Sequence, residues 1–157
     1  MRLFFASWPP VGVAEALARW AHGAQRDCGG RVTRPETIHL TLAFLGDSDP
    51  EEARATAEAV RLPGCAFAVE QARYWEHNRI VWAGPHETPP ELGQLAQALG
   101  ESRRYAAHVT LIRKARAPRH LPPVPALEWP VPEFVLVGST LSAEGPSYAV
   151  LGRYALG

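Results

Sequence analysis

The sequence predicts an α+β protein made of two structurally similar halves that face one cleft. Three observations lead there. Apolar runs of strand length alternate with three stretches of helical periodicity. The order strand, helix, strand with His-x-Thr occurs around 2–45, and strands, helix, strand with His-x-Thr recurs around 66–113. The 157 residues are the size of one domain and bury roughly 70% of their unfolded surface on folding, so residues 1–157 are expected to form a single domain of two interleaved lobes.

Arg2 to Trp8 reads as a strand, ended by Pro9-Pro10. A helix follows over about 11–26, with Val13, Leu17, Trp20, Ala21 and Ala24 on one face. Gly29-Gly30 breaks it. A strand is expected from Ile38 to Leu45, closed by Gly46. Asp49-Pro50-Glu51-Glu52 combines a capping acid, proline at the first position and an acid three residues after the cap, which predicts a helix to about Val60. Leu62-Pro63-Gly64 is a turn, and strands are expected over 66–72 and 79–83. Thr88-Pro89-Pro90-Glu91 repeats the capping pattern ahead of Leu92, Leu95, Ala96 and Leu99, which share a helical face. A strand runs from Ala107 to Arg113. The six prolines of 116–132 predict an ordered surface loop, and Phe134–Leu141 and Tyr148–Ala155 are the last strands, joined through Glu144-Gly145-Pro146.

Composition narrows the partners. Formal charge is zero, whereas a protein that grips long nucleic acid non-specifically carries a basic excess, so any nucleic-acid contact is expected to be local. The cations are 15 Arg and one Lys, a skew too general to mark a site. No apolar run approaches the ~18 residues of a membrane span, and the apolar stretch at the start is too short for a signal peptide, so a soluble, cytoplasmic protein is expected; a monomer is expected as well. Cys28 and Cys65 form no C-x-x-C pair and are expected as buried free thiols.

The chemistry sits in His39-Leu40-Thr41-Leu42 and His108-Val109-Thr110-Leu111. Strand alternation puts His39 and Thr41 on one face and Leu40, Leu42 and Phe44 on the other; His108 and Thr110 separate likewise from Val109 and Leu111. With six His and 7 Thr, chance would give roughly 0.3 His-x-Thr, against the two present in matched contexts. One imidazole can take a proton from water and the other can protonate a leaving oxygen. Two hydroxyls can donate to the oxygens of a phosphodiester. Neither motif has zinc-ligand spacing and no carboxylate but Glu36 stands near a motif histidine, so no metal and no cofactor is assigned.

These motifs, together with Arg2-Leu3-Phe4-Phe5-Ala6, Arg34-Pro35-Glu36, Ala43-Phe44-Leu45-Gly46, Arg79-Ile80-Val81-Trp82, Ile112-Arg113 and Glu144 to Leu151, resemble the 2H phosphoesterase superfamily over nearly the whole chain. The resemblance is specifically to the RNA 2′,3′-cyclic phosphodiesterases, also called 2′-5′ RNA ligases. It implies a bilobal α+β fold of two pseudo-symmetric halves, with antiparallel sheets forming a V-shaped cleft and helices outside. It implies metal-independent hydrolysis of 2′,3′-cyclic phosphate ends to 2′-phosphomonoesters, with RNA ends, tRNA halves or small cyclic nucleotides as partners and a weak reversible 2′-5′ joining. It implies His39 as the donor to the leaving 3′ oxygen, His108 as the base, and Thr41 and Thr110 as phosphate holders. The chain departs from the family at Tyr105-Ala106-Ala107, where members carry an aromatic, a variable residue and proline.

Other residues are weighed against plainer roles. Arg113 resembles a phosphate contact, yet strict alternation puts it on the Val109 face, so a site role needs the strand to end or bend there. Phe5 and Tyr105 are candidate base-stacking residues; core packing is the competing expectation for Phe5. Trp20 and Trp82 are expected in the core, and Arg34 and Arg79 in solvent. His22, His77, His86 and His120 have no partner motif and are expected on the surface. Another cyclic phosphate or a 2′-5′ oligonucleotide is an alternative substrate, and a non-catalytic RNA-end-binding module an alternative function, though binding alone needs no pair of proton-transfer groups.

Overall fold

The computed structural model describes every residue from Met1 to Gly157. Its elements are β1 (Arg2–Ser7), α1 (Val11–Cys28), β2 (Arg31–Val32), a 3-10 turn (Pro35–Thr37), β3 (Leu40–Gly46), α2 (Pro50–Glu58), β4 (Cys65–Val69), β5 (Gln71–Trp75), β6 (Ile80–Gly84), α3 (Pro90–Ala98), β7 (Val109–Arg113), β8 (Leu127–Val131), β9 (Glu133–Ser142) and β10 (Gly145–Ala155). The strands form two four-stranded sheets, β10-β9-β1-β3 and β2-β7-β6-β5, and a two-stranded sheet, β4-β8. All the pairings are antiparallel. Each four-stranded sheet carries one motif strand, β3 or β7.

The sheets are not assembled from successive halves of the chain. The C-terminal hairpin β9-β10 completes the first sheet beside the N-terminal β1, and the short β2 leaves the N-terminal half to pair with β7. Close approach at that crossing needs glycine. Gly30 has φ +85, and a Cβ there would lie 2.5 Å from the Arg113 carbonyl oxygen.

Sequence and structure differ in five places. The strand expected over 66–72 is two strands broken at Glu70, because β4 pairs with β8 while β5 pairs with β6. The proline-rich segment contains β8, in which Pro130 lies opposite Ala66; proline is tolerated because this sheet has only two strands and both are edges. Thr88 does not cap α3: its Oγ1 accepts from the Ala107 N–H at 2.9 Å, and Pro89 occupies the cap. Cys65 is half-buried rather than buried. Asp49 does cap α2, accepting from the Glu51 N–H at 3.0 Å. Trp82 is buried as expected, whereas Trp20 is half-buried and pins the proline-rich loop by donating to the carbonyls of Pro122 and Pro123.

The main core lies between the sheets' inner faces and the helices, with Leu3, Phe5, Leu17, Leu42, Leu95, Leu111, Trp129 and Phe134 fully or almost fully enclosed. Ser7 is the one buried polar residue; its Oγ accepts from the Trp129 indole N–H at 3.0 Å. A second, smaller cluster lies on the opposite face of the first sheet, where Phe4, Ala6, Val135 and Val137 pack with Trp8 and Tyr148. Ser7→Ala leaves the Trp129 N–H buried and unpaired, so the variant is expected to lose about 1–3 kcal/mol, read as a lower urea midpoint with an unchanged slope.

Candidate active site

Each motif histidine stands one residue before its strand, so the backbone on its N-terminal side is free to fold back. In both motifs the ring Nδ1 approaches the carbonyl of the residue two positions earlier: His39 to Thr37 at 2.7 Å, and His108 to Ala106 at 3.0 Å. A carbonyl only accepts, so Nδ1 carries the hydrogen, and Nε2 of the neutral ring is left with a lone pair.

The threonines follow two residues on, half-buried in strands whose neighbours are buried. The burial pattern then breaks alternation in the same way in β3 and β7: Leu42 and Ala43 are both buried, then Phe44 is exposed; Leu111 and Ile112 are both buried, then Arg113 is exposed. The cause is a β-bulge. Ala6 pairs with Thr41 and Phe5 with Ala43, which leaves Leu42 extra; Trp82 pairs with Thr110 and Val81 with Ile112, which leaves Leu111 extra. Each bulge shifts the side-chain parity by one. Arg113 thereby returns to the Thr110 face, and Phe44, expected opposite Thr41, is corrected to the Thr41 face.

His39, Thr41, His108, Thr110 and Arg113 line one cavity of about 210 Å³, together with Arg31, Arg34 and Tyr148. Arg34 is exposed, as expected, and also lines this cavity. Arg79 bonds instead to the carbonyls of Lys114 and Ala115, with φ +58. His22, His77, His86 and His120 are exposed and away from the cavity, as expected.

The two aromatic candidates sit elsewhere. Phe5 is fully buried, edge-on to Phe134 at 5.7 Å, with no face open to a base. Tyr105 is half-buried and donates its hydroxyl to the Thr41 carbonyl at 2.6 Å. Burial, reinforced by Glu101, pushes that phenol far above its usual range, so it stays a neutral donor bracing the first motif strand. The alanine at 107 also acquires a use: its N–H, which proline would lack, is the group held by Thr88 just before His108.

The aromatic residues at the site are ones that parity alone did not identify. Phe4 and Trp8 stack on His39 with centroids at 5.3 and 4.8 Å, and Tyr148 meets it edge-on at 5.5 Å. Phe4, Ala6 and Trp8 alternate on the face opposite Phe5, and the pairing of Ala6 with Thr41 makes theirs the site face. Trp8 is fixed by its own N–H, which donates to the Glu36 carbonyl at 2.9 Å. His108 is flanked more openly, by Trp75 at 4.7 Å and Trp82 at 6.2 Å.

Enclosure sets the charge of His39. Desolvation lowers its pKa from 6.5 to about 4, the Arg113 guanidinium adds to the shift, and the Thr37 carbonyl opposes it. In the free protein this imidazole is neutral at pH 7.

Residues 8–82 match the family described as LigT like Phosphoesterase. The chain is 33% identical over 170 residues to the RNA 2′,3′-cyclic phosphodiesterase of Escherichia coli (strain K12), covering 99% of this chain and 96% of that protein. It is 33% identical over 185 residues to the protein of the same name from Thermus thermophilus, covering 99% and 90%. The crystal structure of E. coli LigT in apo form is similar with a TM-score of 0.90, at 32% identity over 99% of this chain and 96% of that one.

Because the unfolded His39 binds its proton near pH 6.5 and the folded one near 4, the unfolded state holds more protons between these values. The stabilisation from keeping His39 neutral is complete above pH 6.5 and is lost as pH falls to about 4, a change of about 3 kcal/mol. Urea midpoints measured across this window are expected to fall more steeply in the wild type than in His39→Gln. In Trp8→Ala, with one face of the ring opened to water, the NMR titration of His39 is expected to move up toward 6.5.

Proposed function

Since this chain belongs to the LigT-like phosphoesterase family, we propose that it is a cyclic phosphodiesterase that opens 2′,3′-cyclic phosphate ends of RNA to 2′-phosphomonoesters, with 2′-5′ joining as the reverse use of the same site. The observation that carries the proposal is the convergence of two backbone-oriented imidazoles, two threonine hydroxyls and the Arg113 guanidinium on one cavity of about 210 Å³. The hydroxyls and guanidinium would donate to the non-bridging oxygens, where charge develops. One imidazole would take a proton from water as it attacks phosphorus, and the other would give one to the departing ribose oxygen. No group of three His, Cys, Asp or Glu side chains gathers to form a metal-ligand set, so the charge stabilisation in this proposal falls to Thr41, Thr110 and Arg113.

The family resemblance gives His39 as acid and His108 as base. The neutral state of His39 bears directly on this. As an acid, His39 must gain its proton when the anionic phosphate arrives and offsets Arg113; as a base, it is ready beforehand. This observation favours a second reading in which the two roles are exchanged. An aryl phosphodiester with a 4-nitrophenolate leaving group separates the two, because a good leaving group needs no acid. If His39 is the acid, His39→Ala recovers most of its rate on the aryl substrate while His108→Ala stays inactive; the exchanged roles give the opposite result.

A nucleobase platform is proposed at Phe44, in place of the candidates Phe5 and Tyr105. Phe44 is 58% exposed, carries Arg2 over its ring at 5.6 Å, and lines a cavity of about 520 Å³ shared with His39, Thr41 and Arg113. Base stacking is worth about 1–3 kcal/mol.

With EDTA present, turnover of a nucleoside 2′,3′-cyclic phosphate is expected to persist in the wild type and to fall by about 10²–10⁴ in His39→Ala and His108→Ala; full activity in either variant would remove that imidazole from the mechanism. Phe44→Ala is expected to raise KM for the nucleotide roughly tenfold or more and to leave KM for base-free ribose 2′,3′-cyclic phosphate unchanged.

A further inference from the structure

The two motif strands belong to different sheets. β3 is the outer strand of the first, paired only with β1, while β7 lies inside the second, between β2 and β6. No strand pairing fixes the distance between them. Groups that share one phosphate must nevertheless be held to within about 0.5 Å, since a misplacement of about 1 Å can cost a factor of 10². A contact outside the sheets has to set the separation.

One hydrogen bond is placed to do this. The Tyr105 hydroxyl, on the approach to β7, donates to the Thr41 carbonyl at 2.6 Å, at the short end for a bond between two oxygens. No other hydrogen bond joins residues 39–46 to residues 105–113. The acceptor lies in the peptide that leads from Thr41 into the bulge residue Leu42, where the ladder with β1 is locally released. The backbone of Thr41 is thus held from the second half at the point where its own sheet holds it least, and the hydroxyl of the same residue lines the catalytic cavity.

At the donor end, the chain runs from Tyr105 straight into the second histidine. The Ala106 carbonyl accepts from His108 Nδ1 at 3.0 Å, and the Ala107 N–H is held by Thr88 at 2.9 Å. The path from the Thr41 carbonyl to the His108 ring therefore consists of two hydrogen bonds and one short, tethered stretch of backbone. The Tyr105 ring packs against the main core, so the hydroxyl is delivered from a fixed base. Burial disfavours the phenolate, so the group stays a donor through the neutral range. Tyr105 lines neither the catalytic cavity nor the one beside Phe44, so any effect on the reaction passes through the residues it holds.

Resting on the phosphodiesterase reading, we propose that Tyr105 is a positioning residue: by holding the Thr41 carbonyl, its hydroxyl sets the distance between the Thr41 hydroxyl and His108 across their shared phosphate. The role requires the hydroxyl and not merely an aromatic ring in the core. It is felt most when the phosphate oxygens carry most charge, because the bond from Thr41 tightens as that charge develops. Its loss therefore falls on kcat rather than on KM.

Tyr105→Phe keeps the ring and removes only the hydroxyl. With a nucleoside 2′,3′-cyclic phosphate, kcat of this variant is expected to fall about three- to tenfold, the worth of one net hydrogen bond, with KM within about twofold of wild type. Two further backgrounds show through which residue the hydroxyl acts. In Thr41→Ala, where no hydroxyl is left to place, Tyr105→Phe is expected to lower the residual kcat no further; in Thr110→Ala it is expected to lower kcat by the same factor as in the wild type. Rates are read well below each variant's urea midpoint, so that a loss of folded protein does not pass for a loss of rate. The role is overturned if Tyr105→Phe keeps the wild-type kcat, if KM carries the loss, or if the loss in Thr41→Ala is as large as in the wild type. A wild type inert toward the cyclic nucleotide would instead overturn the phosphodiesterase reading, and the positioning role with it.

Discussion

One extra residue in each motif strand sets the geometry of the site. A regular strand returns the same face every second residue, so a histidine, a threonine and a residue five places after the histidine cannot all share a face. The bulges at Leu42 and Leu111 remove that restriction. Each sends two consecutive apolar side chains into the core and brings the next residue back to the site. On one sheet that residue is Phe44 and on the other Arg113. The halves therefore share one backbone device but present different chemistry, an aromatic face on one side and a guanidinium on the other. A bulge is also where the ladder is locally released, and in both strands it follows directly on the threonine.

The histidines obey a second shared rule. Each is tethered through Nδ1 to a carbonyl two residues earlier, and each stands just outside the strand that positions its threonine. Beyond that the environments diverge. His39 is enclosed by Phe4, Trp8 and Tyr148, while His108 is flanked by Trp75 and Trp82 on a more open side. Enclosing one imidazole more tightly than the other is a common way to separate the protonation behaviour of two chemically identical groups. Here the apolar enclosure also bears on stability, because charging His39 in place against these neighbours is unfavourable.

The residues just before each motif show how a local departure from a family pattern is absorbed. Alanine at 107 restores an N–H that proline would remove, and Thr88, released from a capping role by the prolines that follow it, takes that N–H. Tyr105, beside it, reaches across to the Thr41 carbonyl and so joins the second motif's approach to the first motif's strand. The Tyr105 bond couples the halves at the level of backbone position, and the Thr88 bond fixes the approach to His108 within the second half.

Much of this protein was legible in the chain. The helices followed from periodicity and, for α2 alone, from its cap, the motif strands from apolar alternation around His-x-Thr, and the four polar site residues from their spacing, because short-range stereochemistry governs all of these. The remainder depended on pairing. β8 was hidden by its proline, which is permitted only because its sheet has no third strand. Phe5 and Phe4 are adjacent phenylalanines in one strand, and only the register with β3 decides which one packs in the core and which one stacks on His39. Arg113 was left undecided by alternation, since a bulge is a mismatch between two strands and neither strand reveals it alone. By itself the sequence determined which groups are available for proton transfer and phosphate contact. The tertiary structure decided which side chains surround them, because face and neighbourhood belong to paired strands rather than to a single one.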